Sequence, residues 1–235
     1  MPKCLEDFLI KLEANAETAL NEYQFLVDVG LDSLTEPQID VAADFAGDAI
    51  TIRPMGTNDT TLNSLRIQYL PWRPPTWVGT EDTGAFDDTG VTKALLDDTG
   101  PGIFLTSQLN GCRFTIQFHD GGMTKATVLH LAGTYGSNKK GAEKRESLEN
   151  VQLQNVPTGG GHRRRSSFGQ DMGLKKKLNP KTKFQPFGFG QGGRTYYDGN
   201  KATILAVRGK DGVWRFFAQE YWEEGNVFIH SKELK

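Results

Sequence analysis

The chain has 235 residues, of which 37% are hydrophobic, 10% aromatic and 24% charged, which supplies enough apolar side chains for a sizeable core and is unlike disordered or collagen-like chains. No apolar run approaches the ~20 residues of a membrane-spanning helix, and the opening MPKCLEDFLI lacks the pattern of a secretory leader, so a soluble, monomeric single domain over residues 1–235 is expected. The formal net charge of −2 averages two unlike halves, with 6 basic and 18 acidic residues in 1–100 against 21 and 11 in 101–235, an asymmetry that bears on partners rather than on fold.

Leu5, Phe8, Leu9, Leu12, Ala16, Leu20, Tyr23 and Leu26 recur at three- and four-residue steps, which predicts one amphipathic helix over residues 5–27, ended by Gly30 and Pro37. Strand-like runs follow at 49–53 (AITIR) and 65–70 (LRIQYL). Pro71, Pro74 and Pro75 then forbid regular structure, and residues 79–100, with acidic clusters and repeated DTG triplets, read as a solvated loop region. The strongest strand signal of the first half lies in 103–132. Between 139 and 183 there are 12 basic and 4 acidic residues, read as an exposed basic excursion with one short helix near 140–153. Runs at 202–208 and 213–221 flank Gly209 to Gly212 as a hairpin, and 227–230 adds a last strand. The expected class is α+β, a mostly antiparallel sheet or β-sandwich flanked by helices.

Residues 105–133 form two alternating runs separated by Asp120, Gly121 and Gly122. A three-residue loop at those positions sets His119 opposite Met123 and Cys112 opposite His130, with Cβ atoms ~4.5–5.5 Å apart. It also collects Phe114, Ile116, Phe118, Thr124, Ala126 and Val128 on the Cys112 face and leaves Arg113, Thr115, Gln117, His119 and Lys125 on the other, polar face. A two-residue Gly121-Gly122 turn sends Cys112 and His130 to opposite faces instead, because a one-residue slip reverses every side chain. In the first register a thiol and an imidazole share the open end of an apolar sheet face, where the imidazole can stabilise a thiolate and later donate a proton. The plainer arrangement is a buried cysteine packed as a small hydrophobe beside a strand-end histidine, and spacing alone favours it. His119 is a reserve candidate of the wrong parity. Backbone N–H groups near Gly111 and Cys112, with the Asn110 amide, are the nearest donors for an oxyanion. Cys4 and Cys112, the only cysteines, make neither a disulfide framework nor a four-ligand zinc site, so no metal and no cofactor is expected.

The segment Thr106-Ser107-Gln108-Leu109-Asn110-Gly111-Cys112 resembles the Leu-Ser-Gly-Cys signature, preceded by a threonine, of the cytotoxic necrotizing factor and Burkholderia lethal factor family. Met1, Pro2, Leu5 and Glu6, then Leu70-Pro71-Trp72, and a glycine-rich turn with a histidine after the cysteine are similar to features of the lethal factor in the same order, over residues 1–135. The resemblance implies a glutamine deamidase toxin or effector, delivered from a bacterium, that converts one glutamine of a host regulatory protein to glutamate in the host cytosol. It makes Cys112 the nucleophile, His130 the acid/base and Thr106 an orienting group. Asn110 stands where the family has serine, and the interval from Cys112 to His130 is longer than in the lethal factor. If an amine replaces water, the same thioester leads to transglutamination.

Gly188 to Gly193 fits G-x-G-x-x-G as a string, yet no strand precedes it and no helix pattern follows, so no dinucleotide site is expected. Arg163, Arg164, Arg165, Lys175, Lys176 and Lys177, with Phe168, Phe184, Phe187 and Phe189, supply the alternative functions: phosphate contacts with base stacking, or docking of an acidic protein. Nucleic acid is thus the runner-up partner, not the expected one. A catalytically inactive member of the family is a third reading. Trp72, Trp77, Trp214 and Trp222 read as core or rim packing.

Overall fold

The computed structural model describes residues 4–78, 85–135, 139–156, 165–169, 200–222 and 227–234. In chain order the elements are α1 (Leu5–Ala14), α2 (Ala16–Glu22), β1 (Gln24–Val27), β2 (Gln38–Ala46), β3 (Ala49–Pro54), β4 (Ser64–Leu70), β5 (Trp77–Val78), β6 (Ala85–Phe86), β7 (Val91–Leu96), β8 (Ile103–Thr106), β9 (Arg113–Phe118), β10 (Ala126–Leu131), α3 (Lys139–Leu153), β11 (Arg165–Gly169), β12 (Asn200–Arg208), β13 (Trp214–Trp222) and β14 (Val227–Leu234). The class is α+β with mostly antiparallel sheets. Two compact units share the chain, the first built from Met1–Pro71, Asp98–Gln108 and Gly199–Lys235, the second from Trp72–Asp97 and Leu109–Asp198. Among the described residues no helix is long and apolar enough to cross a membrane.

The first unit carries an eight-stranded sheet of order β1-β3-β2-β4-β8-β12-β13-β14, in which only β1/β3 and β4/β8 run parallel. Its helical start differs from the single helix expected over 5–27. Asn15 sits in extended backbone and its side-chain oxygen accepts the Thr18 N–H at 3.0 Å, so an asparagine that bonds its local backbone ends one helix and caps the next. The helix then stops at Glu22, and residues 24–27 form a strand. Phe25, Leu26 and Val27 suit a pleated surface, and the flank of β1 away from β3 is satisfied by side chains. Gln219 accepts the Phe25 N–H at 2.7 Å and donates to the Leu20 and Tyr23 carbonyls at 2.7 Å each, while Tyr221 donates to the Phe25 carbonyl at 2.5 Å. Both backbone groups of the buried Phe25 are thus satisfied by side chains. Leu5, Phe8 and Leu12 are the buried face of α1; Phe8 meets Tyr23 and Phe25 edge-on at 5.3 and 5.1 Å, each such side chain contributing roughly 1.5–3 kcal/mol by burial.

The second unit carries a four-stranded antiparallel sheet of order β11-β9-β10-β7 and the small β5/β6 hairpin. Three of its strands correct the sequence reading. β6 and β7 lie inside the stretch 79–100 expected to be loop, and β11 lies inside the basic excursion. β7 and β11 are edge strands of the four-stranded sheet, whose side chains need only one apolar face. Helix α3, expected near 140–153, packs on this sheet through Leu148 and Leu153, which join Leu129 and Leu131 in a buried cluster.

Candidate Cys-His site

The β9/β10 hairpin sets the geometry around Cys112. The expected loop of Asp120 to Gly122 is instead five residues, closed by the His119 N–H donating to the Lys125 carbonyl at 2.9 Å. The Asp120 carboxylate accepts the Thr124 N–H at 3.1 Å and its hydroxyl at 2.8 Å, and Met123 takes a left-handed φ of 57°. This aspartate-capped turn absorbs two more residues than the string suggests. Consequently Phe114, not Cys112, lies opposite His130, with Thr92 on its other side and Phe168 beyond Phe114. A shift of two preserves the faces. Continued outward, the ladder stands Cys112 diagonal to His130, where neighbours lie roughly 7–8 Å apart, rather than in direct opposition.

Neither group lies at an open end. Cys112 is 3% exposed and His130 2%. Burial pushes the His130 imidazole down to about 3, because a charged ring set opposite Phe114 at 2% exposure loses its water. Burial thus favours the neutral form of the imidazole. The Cys112 thiol donates to the Asn110 carbonyl at 3.7 Å. It follows Gly111, whose φ of 74° is left-handed and favours glycine. Gly133 closes the other side: a Cβ there would stand 2.7 Å from the Gly111 carbonyl carbon and oxygen and 3.0 Å from the Asn110 oxygen. The signal for it was present in the sequence, in the glycine three residues past His130.

Thr106 belongs to the first unit, at the end of β8, where its buried hydroxyl accepts the Ile204 N–H at 3.2 Å. His119 lies on the other sheet face, as its parity requires, and its Nε2 meets the Thr127 hydroxyl at 2.8 Å. Desolvation, then the Lys125 charge, lowers its proton affinity.

The polar face of the hairpin is covered. Arg113, Thr115, Gln117 and Thr127 are all buried there, beneath α3. Arg113 donates to Glu149 at 3.0 Å and to Glu146 at 3.2 Å, and Ser167 of β11 donates to the second Glu149 oxygen at 2.9 Å. No periodicity marks this network in the sequence, since a charged face normally signals solvent.

A cleft of about 1220 Å³ opens in the first unit, lined among others by Leu12, Arg66, Ile103, Arg208 and Phe217. Neither Cys112 nor His130 lines it. Among the described residues no group of His, Cys, Asp or Glu is placed to hold a metal ion. Phe168, offered in the sequence as a base-stacking ring, is buried at 2% exposure and cannot stack on a base. The G-x-G-x-x-G string and the rest of the basic and aromatic cluster, apart from Arg165 and Phe168, lie outside the described residues. No protein-family model matches the sequence, and no curated protein matches it significantly.

Proposed function

We propose that the chain is a Cys-His hydrolase of carboxamides, a protein-glutamine deamidase in which Cys112 is the nucleophile and His130 carries the proton. The observation that supports this most is that Cys112, directly before β9, and His130 of β10 stand at the same end of one four-stranded sheet, with the thiol presented after a left-handed glycine. In the reaction the thiol proton passes to the neutral imidazole as the sulfur bonds to the carboxamide carbon. Collapse of the tetrahedral species breaks the C–N bond and the imidazolium gives its proton to departing ammonia, leaving a thioester. Water, deprotonated by the same imidazole, then releases glutamate and restores the thiol. Backbone N–H groups at Gly111 and Cys112 are the nearest donors to the developing oxyanion.

In this reading the buried pair is a resting state. Admission of water and substrate raises His130 from about 3 toward the ordinary histidine value of about 6.5, where it becomes a competent base. The setting of action is a target cell reached by a bacterial effector. A second reading, an inactive member of the same family, is favoured by the burial of both groups. Intact-mass measurement of host-lysate proteins separates the two: the deamidase adds about 1 Da to a substrate protein, and Cys112→Ser abolishes the change while keeping its fold. A wild-type protein that leaves every mass unaltered removes the deamidase reading.

A further inference from the structure

We infer that Glu149, acting through Arg113, is a positioning residue for Cys112, and that α3 clamps the segment 110–113 from both sides. The inference deepens the deamidase reading and rests on it only for the reaction itself.

Cys112 lies one peptide step from each of two fixed points. On its C-terminal side the Arg113 guanidinium is fully buried between Glu149 and Glu146, and Glu149 is itself held by the Ser167 hydroxyl. On its N-terminal side the backbone of Gly111 and Asn110 lies against Gly133, closer than any β-carbon permits. The same helix reaches this second point: Arg145, also buried, donates to the carbonyls of Ala132 and Gly133 at 3.4 Å each. The thiol proton in turn is held by Asn110 O, an atom of the clamped segment.

The composition of the contact supports positioning over simple adhesion. The buried face of α3 comprises Gly141, Arg145, Leu148, Glu149 and Leu153, with only two large apolar side chains. A buried ion pair adds little net stability compared with apolar residues of similar volume. Its geometry is narrow, however, because a planar guanidinium accepts its carboxylates only in defined directions. Rigid support of this kind is what a nucleophile needs to stay within a fraction of an ångström of its working place.

The test uses the full chain in a Cys4→Ser background, so that Cys112 is the sole thiol. Iodoacetamide alkylation of Cys112 is timed in Glu149→Gln and in the double variant Arg113→Met/Glu149→Leu, and global stability is measured by urea unfolding of each. The double variant keeps the volume and removes the two fully buried charges, leaving only the part-exposed Glu146 carboxylate, a change often neutral for stability. Expected is alkylation at least about tenfold faster than in the parent, equivalent to about 1.4 kcal/mol in an opening equilibrium, and in excess of what each variant's global unfolding allows. No excess in either variant overturns the clamp. Where the parent deamidates a substrate, the variants lower kcat with KM held; if it does not, the deamidase reading falls and the alkylation rates still decide the clamp.

Discussion

Helices α1 and α3 do the same architectural job with opposite chemistry. In the first unit α1 lays Leu5, Phe8 and Leu12 into an apolar core; in the second, α3 buries Arg145 and Glu149 alongside Leu148 and Leu153. An apolar contact is non-directional and degrades gradually as methylenes are removed. A buried charge network is all or nothing, because each member depends on its partners for replacement of lost water. The second unit therefore holds its sheet face in one arrangement, whereas the first can repack.

The sharpest way to break this comparison is to truncate one side chain in each contact. Arg113→Ala leaves Glu149 buried without its cation and is expected to cost about 3–5 kcal/mol, against about 2–5 kcal/mol for Leu12→Ala, both read by urea unfolding. The two differ in repair: adding Glu149→Leu to the Arg113 variant recovers most of its loss, while no second change in the polar network recovers Leu12→Ala. Failure of that repair would show the network to be ordinary packing.

A smaller effect comes from pH. His130 is neutral in the folded state down to about 3 but binds a proton near 6.5 when unfolded. Below 6.5 the unfolded chain holds the additional proton, so stability falls as pH falls from about 6.5 toward 3, by up to about 1.4 kcal/mol per pH unit from this group. Between pH 6.5 and 5, where most carboxylates stay ionised, His130→Gln should flatten the slope measured by urea unfolding. An unchanged slope would place the ring in water. The smallest effect is at the helix break: Asn15→Ala removes the cap on Thr18 and should lower stability by about 1 kcal/mol, with α1 and the sheet otherwise intact by circular dichroism.

Much of the fold was legible where one periodicity ruled. The runs at 49–53, 65–70, 202–208 and 213–221 are strands because their β-branched and aromatic residues match a half-buried pleat, and the helix near 140–153 is present. β2 carries a weak strand signal because Asp40, Asp44 and three alanines interrupt its few β-branched and aromatic residues, and β7 because its acidic flanks resemble loop. The candidate pair was legible as to face but not as to register. Parity survives a two-residue slip, and the Asp120 cap that causes the slip depends on a side chain bonding backbone four residues on. The Arg113–Glu149 pair had no local signal, since its partners lie 36 residues apart and a string of charges reads as solvated until a sheet is placed beneath it.

Gln219 carries a consequence for synthesis. It bonds Phe25 across 194 positions of sequence, so the amino-terminal helices leave the ribosome long before the side chain that seals β1 exists. Pairing over such a separation carries a large closure entropy and forms late. Until Gln219 emerges, the nascent segment holds an unsealed strand flank, and a chaperone that shelters it has its natural client there.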